Sequence, residues 1–200
     1  MVEKADRQPD SRIRKTRMRL RRAYFEMLGE DEKVSVAALA NTAGVTRGTF
    51  YQHYNDKEEF EHAVLEDTVA DFMGTSVYRR YGTEAPERMN LHVALEEISR
   101  PENGFAILFS RDADDKFSTM LAMRIAAAIR AFARESPVVH AKTEFADEDL
   151  VRMVALIMVL IWRHWLLDDR KRSAEYTEEM TRQVTAAAAL GQVDVKGFYY

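Results

Sequence analysis

The fold is decided by residues 35–54, which read Ser-Val-Ala-Ala-Leu-Ala-Asn-Thr-Ala-Gly-Val-Thr-Arg-Gly-Thr-Phe-Tyr-Gln-His-Tyr. Ser35 and Thr46 favour the position just before a helix, because a hydroxyl oxygen there accepts a hydrogen bond from a backbone amide of the first turn. Gly44 supplies the permissive backbone that a tight turn needs. The stretch therefore predicts a short helix over 36–43, a break at Gly44, and a second short helix over 47–54.

The apolar positions of this stretch predict that the two helices pack as a helix-turn-helix. Leu39 and Ala43 face inward, Ala40 is small where the second helix crosses, and Val45 and Phe50 fill the angle between the helices. Polar side chains remain on the outer side of the second helix, where they can reach base edges or phosphates. The alternative is a solvated helical hairpin in an ordinary bundle.

Charge is distributed unevenly along the chain. Residues 1–57 contain twelve Lys/Arg and eight Asp/Glu, a net charge of +4, whereas residues 58–200 contain seventeen and twenty-five, a net charge of −8. An amphipathic helix is predicted over about 10–29, and its segment 12–22 holds seven basic residues and no acidic one. This face suits a polyanion, and a solvated helix surface is the alternative.

The rest of the chain is predicted to be helical. A long helix is expected over 57–77, a weaker one carries Leu91 and Ile98, and residues 193–200 are a marginal strand. The other predicted helices cover 105–109, 113–134, 147–168 and a last stretch from Ser173 or Thr177 to Leu190. The predicted class is all-α, with an N-terminal three-helix helix-turn-helix domain and a C-terminal helical bundle.

Residues 34–60 closely resemble the DNA-binding domain of TetR-family transcriptional regulators. The specific marks are Ala-Gly-Val-Thr at 43–46, Gly-Thr-Phe-Tyr-x-His-Tyr at 48–54, and Asp-Lys-Glu at 56–58. The resemblance implies a DNA-binding domain over residues 1–56 with a basic arm over 1–10, and a ligand-binding and dimerisation domain over residues 57–200. The loop 29–33, Gly-Glu-Asp-Glu-Lys, departs from the glycine and aromatic residue that the family often has there.

The residues expected to contact DNA follow from this resemblance and from their chemistry. Arg47 offers a planar guanidinium suited to a guanine edge. Lys57, at the start of the next helix, is expected to bind a phosphate. Tyr51 and His53 match family positions that resemble phosphate or base contacts. The full predicted set is Ser35, Thr46, Arg47, Thr49, Tyr51, Gln52, His53 and Lys57, together with Arg12, Arg14, Lys15 and Arg17 on the first helix.

Two C-terminal helices carry more apolar surface than one chain of this size can cover. Helix 147–168 is apolar on every side between Arg152 and Arg163, and the last helix combines apolar residues with small alanines. The resemblance implies that these helices form a four-helix interface in a homodimer. A bundle closed within one chain is the alternative. The predicted interface residues are Ile157, Ile161, Trp165, Met180, Val184 and Ala187.

The middle helices are expected to enclose a pocket for a small-molecule effector of unknown identity, as the resemblance implies. The candidates are mostly apolar, and for each apolar one the sequence favours the alternative of plain core, while Arg124 has a solvated or core role as its alternative. They are Phe105, Phe109, Phe117, Met120, Met123, Arg124 and Trp162.

Several classes of protein are disfavoured by what the sequence lacks. There is no cysteine, and the five histidines show no close ligand spacing, so neither a metal nor a cofactor is expected. Without a Gly-rich phosphate loop or a Gly-x-Ser-x-Gly motif, an enzyme is not expected. The N-terminus resembles no export signal, and the longest apolar run, Met153 to Trp162, is too short for a bilayer. A cytoplasmic protein with no membrane partner is therefore expected.

The function predicted from these features is that of a sequence-specific DNA-binding transcriptional regulator. The resemblance implies a repressor that a small-molecule effector releases from a palindromic operator in double-stranded DNA. The alternative is a regulator or co-activator whose C-terminal body binds a protein partner instead of a small molecule.

Overall fold

The computed structural model describes residues 11–82, 84–112, 114–135, 147–168, 171–191 and 194–200. The predicted basic arm over residues 1–10 lies outside the described residues. The chain divides between Val64 and Leu65 into two compact units. This division comes eight residues after the predicted domain boundary, because Phe60 and Val64, in the helix that follows that boundary, are buried.

The first unit contains helices α1 (Ser11–Gly29), α2 (Val36–Thr42) and α3 (Arg47–Tyr51), and the first turns of α4 (Lys57–Ser76). One face of α1 is buried through Leu20, Ala23, Tyr24 and Met27, whose spacing of three and four residues places them along a single stripe. The predicted order of helices in this unit is confirmed. The helix predicted over 47–54 ends at Tyr51, with Gln52 at its C-cap.

In its described residues the second unit is also helical, apart from one short strand pair. Strands β1 (Val77–Tyr78) and β2 (Arg88–Met89) follow α4 and pair antiparallel. The elements that come next are α5 (Leu91–Ser99), a 3-10 turn (Pro101–Asn103), α6 (Phe105–Ser110), α7 (Lys116–Glu135), α8 (Asp147–Leu167), α9 (Ala174–Ala188) and α10 (Val195–Phe198). The predicted all-helical class is confirmed.

Five aromatic side chains form the core of the second unit, and we call them the aromatic cluster. The ring of Phe105 lies 5.5 Å from that of Phe72, 6.0 Å from Phe109 and 5.4 Å from Phe117. The Phe72 ring is 5.8 Å from that of Trp162, whose Nε1 donates a hydrogen bond to Thr181 Oγ1 at 3.2 Å. Four helices, α4, α6, α7 and α8, therefore meet in one close-packed group of rings.

Helix α8 packs against both α7 and α9. Of the helices in the described residues, α8 alone is long and apolar enough to cross a membrane, over Glu148–Leu167. Half of this apolar stretch is buried inside the protein. The buried core helix of a folded domain has the same composition. Met153 and Leu160 stay 59% and 63% exposed, so α8 is apolar on its outer side as well, as its sequence predicts.

The strand predicted over 193–200 is wrong for the described residues 194–200. Asp194 caps α10 by accepting a hydrogen bond from the Gly197 amide at 2.8 Å, and one helical turn then buries Phe198. Tyr199 makes a parallel bridge with Met89, and burial raises the pKa of its hydroxyl to about 12. The local cap therefore overrides the weak alternation of apolar residues.

Candidate nucleic-acid interface

The turn between α2 and α3 is built by two capping hydroxyls and one glycine. Ser35 Oγ accepts a hydrogen bond from the Ala38 amide at 3.2 Å, and Thr46 Oγ1 accepts one from the Thr49 amide at 3.0 Å. Gly44 has a φ of +62°, in the left-handed region that residues with a Cβ rarely adopt. Both predicted caps and the predicted turn glycine are confirmed.

Helix α3 is anchored by one aromatic side chain. Phe50 is fully buried, and its ring lies 5.6 Å from the Tyr54 ring and 5.7 Å from the Phe60 ring. Tyr24 of α1 packs edge-on against Phe60 at 5.4 Å. Since α3 has only five residues, these rings fix which of its sides faces outward.

Three predicted contact residues are accessible on the outer side of α3 and its C-cap. Arg47, Tyr51 and Gln52 are exposed, Tyr51 to 49%, and they combine a guanidinium, a phenol and an amide. These groups can donate hydrogen bonds to base edges and phosphate oxygens. The arrangement suits a surface that reads a polar, negatively charged partner.

Two threonines and a histidine are more restricted. The hydroxyls of Thr46 and Thr49 lie 2.9 Å apart and share a hydrogen bond, and Thr49 is half-buried. His53 is half-buried, with its ring 6.3 Å from that of Tyr54. The capping network therefore already engages Thr46, while Ser35 is exposed at the start of α2.

The start of α4 places a lysine near a helix N-terminus. Asp56 Oδ1 accepts a hydrogen bond from the Glu59 backbone amide at 2.7 Å, and Glu59 Oε2 accepts one from the Asn55 backbone amide at 2.7 Å, so Asp56 caps α4 and Glu59 holds the residue before the cap. Lys57 Nζ lies 3.1 Å from Glu61 Oε1, with 41% of its side chain exposed. If Lys57 binds a phosphate, its ammonium group must either keep the ion pair with Glu61 at the same time or give up that ion pair.

The basic face of α1 is open to solvent. Arg12, Arg14, Lys15 and Arg17 are all exposed, as a phosphate-binding role requires. The guanidinium of Arg17 lies over the Tyr54 ring, 5.5 Å from its centroid. Arg17 is therefore the member of this group whose direction is partly set by a neighbouring ring.

Arg19 has a role that the sequence did not reveal. Its Nη2 donates a hydrogen bond to the carbonyl oxygen of Gly44 at 2.9 Å, which ties α1 to the turn of the helix-turn-helix. The sequence places Arg19 only within a basic run, because a contact between residues twenty-five positions apart has no local signature.

The seven residues predicted to line a ligand pocket fall into two groups in the structure. Four of them belong to the aromatic cluster, where ring packs against ring, and the other three lie on α7. Met120 is half-buried, while Met123 is 53% exposed and Arg124 is exposed. The four aromatic members are Phe105, Phe109, Phe117 and Trp162. The structure thus divides the predicted lining between the core and the outer side of α7.

A groove of about 280 Å³ lies between α7 and α8, and we call it the α7–α8 groove. Its apolar wall includes Leu156 and Leu160. At its polar end Arg163 Nη1 donates a hydrogen bond to Asp115 Oδ1 at 2.9 Å. Ser118 also lines the groove, and its buried hydroxyl has no hydrogen-bond partner. The groove therefore combines an apolar wall with unused hydrogen-bonding capacity.

Most residues predicted for a dimer interface keep accessible surface, and one does not. Trp165 is only 6% exposed, and its Nε1 donates to the Arg172 carbonyl oxygen at 2.8 Å, so it is engaged within its own chain. The five residues that keep surface are half-buried or exposed. They are Ile157, Ile161, Met180, Val184 and Ala187.

The apolar surface of α8 is larger than predicted, because Met153, Leu156, Leu160 and Leu167 are also exposed. Met153, Ile157, Leu160 and Ile161 lie at helical spacing on one side of α8, as Met180, Val184 and Ala187 do on α9. We call these seven residues the α8–α9 face. The signal for the missed residues is the uninterrupted apolar run of 153–162 itself.

Two comparisons of the sequence with known proteins cover part of the chain. Residues 32–64 match the model for bacterial regulatory proteins of the tetR family. Over 71 residues the chain is 27% identical to the uncharacterized HTH-type transcriptional regulator YxbF of Bacillus subtilis (strain 168), which is 34% of this chain and 19% of that protein. The chain thus spans about a fifth of the length of this relative.

Two solved structures are similar over nearly the whole chain. The dihydroxyacetone kinase operon activator DhaS has a TM-score of 0.61 and 15% identity, covering 90% of this chain and 98% of DhaS. A protein from Rhodococcus sp., described as a TetR-family transcriptional regulator, has a TM-score of 0.50 and 15% identity, covering 88% and 99%. At these identities the likeness shows the fold. Residues 32–64 thus match the DNA-binding region of the tetR family of bacterial regulatory proteins, and the helical architecture of the chain is shared with these two structures.

Proposed function

We propose that the chain is a sequence-specific DNA-binding transcriptional regulator that acts as a homodimer in the cytoplasm. The observation that carries the proposal is the accessible surface of α3 and its C-cap, where Arg47, Tyr51 and Gln52 are exposed while Phe50 is buried. An α-helix fits the major groove of B-form DNA, and a guanidinium can bind guanine O6 and N7 together. Arg47, the first residue of α3, is the proposed base reader.

Phosphate contacts supply the sequence-independent part of the binding. The exposed cations Arg12, Arg14, Lys15 and Arg17 lie along α1, in the part of the chain with net positive charge. Lys57 adds a charge at the start of α4, weakened by its ion pair with Glu61. Because phosphate contacts release counterions, the affinity should fall steeply as salt is raised.

The α8–α9 face supports dimerisation through two helices of each copy. It exposes large apolar side chains, among them Leu160 at 63% and Val184 at 41%. Contiguous apolar surface of this kind marks an interaction site, and a second copy covers it by twofold symmetry. A twofold dimer reads a palindrome whose half-sites lie about 34–36 Å apart, or a multiple of that distance.

A small-molecule effector that releases the operator remains part of the proposal, and the α7–α8 groove is its proposed site. The groove has open volume beside Arg163 and Ser118. It shares Leu160 with the α8–α9 face, so in the proposed dimer the ligand would lie beside the interface. This chemistry suits a small, mainly apolar molecule with an acidic or hydrogen-bonding group. Such a molecule would release the repressor from its operator because it would bind the DNA-free form of the protein more tightly than the DNA-bound form.

The second candidate is a regulator or co-activator whose second unit binds a protein partner. It is favoured by the dense packing of the aromatic cluster, where the sequence predicted a pocket. DhaS, whose fold the chain shares, is named an operon activator, so the fold is compatible with activation as well as repression.

Selection from a random library of DNA duplexes, using the full chain, tests DNA binding. We expect enrichment of a palindrome bound at least about 10³-fold more tightly than a scrambled duplex at the same salt concentration. A matched selection with Arg47→Ala should lose that enrichment. A wild-type protein that enriches no sequence would refute sequence-specific binding.

A ligand screen that follows emission from Trp162 and Trp165 separates the effector from the protein partner. A compound in the α7–α8 groove should bind less tightly when the selected duplex is present, by the same factor with which it weakens DNA binding. Ser118→Ala and Arg163→Met should weaken its binding. A compound that binds equally with and without DNA is no effector, and a screen without hits favours the protein partner.

A further inference from the structure

We propose that Arg19 is a positioning residue that acts on DNA binding through the turn of the helix-turn-helix and not through a phosphate. It anchors the Gly44 carbonyl to α1 and so fixes the direction in which α3 leaves the turn. The inference rests on the proposed DNA binding.

The contact joins the longest helix of the first unit to its tightest turn. Arg19 Nη2 donates to the Gly44 carbonyl oxygen at 2.9 Å. Arg19 is adjacent to Leu20, which is fully buried, so the base of the arginine side chain belongs to a fixed part of α1. A hydrogen bond from a charged donor is stronger than one between neutral groups. The guanidinium therefore holds the turn from a rigid support.

The turn sets the direction of the start of α3 together with the Thr46 cap and the half-buried Val45. Within the turn the Gly44 amide donates to Asn41 O and the Val45 amide donates to Ala40 O, both at 2.9 Å. These bonds fix the turn to α2 and leave the Gly44 carbonyl as an outward acceptor. In α3 itself only Phe50 is buried, three residues after Arg47. The direction of the Arg47 end thus depends on the turn.

A side chain at position 44 would also meet Arg19. Besides the φ of +62° at Gly44, a Cβ built there would lie 2.6 Å from Arg19 Nη2, so the end of the arginine side chain would have to move. This movement would change the geometry of the hydrogen bond from the guanidinium to the Gly44 carbonyl oxygen. The two residues should therefore be energetically coupled.

Substitution of Arg19 by methionine removes the donor and keeps most of the apolar stem. Arg22→Met is the matched control, because Arg22 is exposed on the same helix and its loss removes the same charge. Amide hydrogen exchange should become faster at residues 44–50 in Arg19→Met and stay unchanged there in Arg22→Met. This measurement needs no DNA, so it tests the anchor even if the chain binds no duplex.

Binding to the selected palindrome and to a scrambled duplex of equal length gives the second measurement. Relative to Arg22→Met, Arg19→Met should lose about five- to tenfold in affinity for the palindrome, the size expected for one lost hydrogen bond. Its affinity for the scrambled duplex, and its salt dependence, should match those of the control. A residue that only stabilised the fold would leave the ratio of the two affinities unchanged in the folded protein.

A double-mutant cycle closes the test. Gly44→Ala should cost less palindrome affinity in the Arg19→Met background than in the wild type, because the anchor is already absent. Unchanged exchange at residues 44–50, additive effects of the two substitutions, or an equal loss of affinity on both duplexes would overturn the proposal. Equal loss with a shallower salt dependence would instead make Arg19 a phosphate contact.

Discussion

The turn of the helix-turn-helix in the first unit and the aromatic cluster in the second unit depend on interactions of different range. In the first unit, the caps of Ser35 and Thr46 and the turn at Gly44 are made within three or four residues of the chain. In the second unit, the aromatic cluster brings together Phe72 and Trp162, which are ninety residues apart. Local chemistry restricts residue types at fixed spacing, whereas a packed core accepts many apolar combinations. This difference accords with a family model that matches residues 32–64 and with a fold that is shared over 90% of the chain at 15% identity.

The largest expected effect comes from truncating one buried aromatic side chain in the core of each unit in turn. Phe50→Ala should destabilise the first unit by about 3–5 kcal/mol, because a buried ring is replaced by a cavity. Both tryptophans, Trp162 and Trp165, lie in the second unit. Urea unfolding should therefore show an earlier loss of part of the helical circular dichroism, with the tryptophan emission transition unchanged.

Phe109→Ala is the matched change in the second unit, since Phe109 is also fully buried. It should shift the tryptophan transition by a similar free energy. If Phe50→Ala moved the tryptophan transition as far as Phe109→Ala does, the two units would unfold as one cooperative unit. They would then differ in how well their structure can be predicted from the sequence, but not in how they unfold.

The same contrast sets what the sequence could predict. The helix-turn-helix could be predicted because each of its features, such as the hydroxyl of Ser35 or the glycine at 44, acts on neighbouring residues. The strand pair of Val77–Tyr78 with Arg88–Met89 could not, since two residues show no periodicity and their partner is distant. Phe105 and its neighbours were known to be apolar, but whether rings close on each other or leave a space depends on where four helices meet.

A charge on the α8–α9 face tests whether the apolar surface of the second unit is an interface. Val184→Glu should turn dimers into monomers at micromolar concentration, a loss of about 2–4 kcal/mol if this position is central to the interface. Val184 is 41% exposed, so the isolated chain should keep its helical content. Sedimentation velocity measures the change.

Tyr81→Glu is the control for this prediction, because Tyr81 is fully exposed and lies outside the α8–α9 face. It should leave the sedimentation coefficient of the wild type unchanged. If the wild-type chain sediments as a monomer, or if the Val184→Glu variant remains a dimer, the α8–α9 face is not the dimer interface.

Two substitutions in the first unit separate base reading from phosphate binding. Arg47→Ala should cost about 1–3 kcal/mol per half-site on the selected palindrome and little on a scrambled duplex. Lys57→Ala should weaken binding to both duplexes and reduce the salt slope by about 0.9 per subunit. Its effect should be the smaller one, because Lys57 is already paired with Glu61. Fluorescence anisotropy at several salt concentrations measures both, and equal losses on the two duplexes for Arg47→Ala would remove its role as base reader.

The smallest expected effect lies in the long-range packing of the second unit, at Tyr199. Its hydroxyl is 2.8 Å from Thr185 Oγ1, and burial raises its pKa to about 12. The folded state therefore keeps this proton between pH 10 and 12, where the unfolded chain loses it. The contribution of the Tyr199 hydroxyl to the free energy of unfolding is thus fully present below pH 10 and declines as the pH rises.

Tyr199→Phe should cost about 1 kcal/mol at pH 8, the value of one buried hydrogen bond. Since the wild type loses about 1.4 kcal/mol for each pH unit above 10 through this group, the free energies of unfolding of wild type and variant should converge near pH 11. Urea titrations followed by tryptophan emission at pH 8 and pH 11 measure the difference, with Tyr176→Phe, at a 51% exposed position, as the control. A difference that stayed constant with pH would mean that the Tyr199 hydroxyl ionises equally in the folded and unfolded chains.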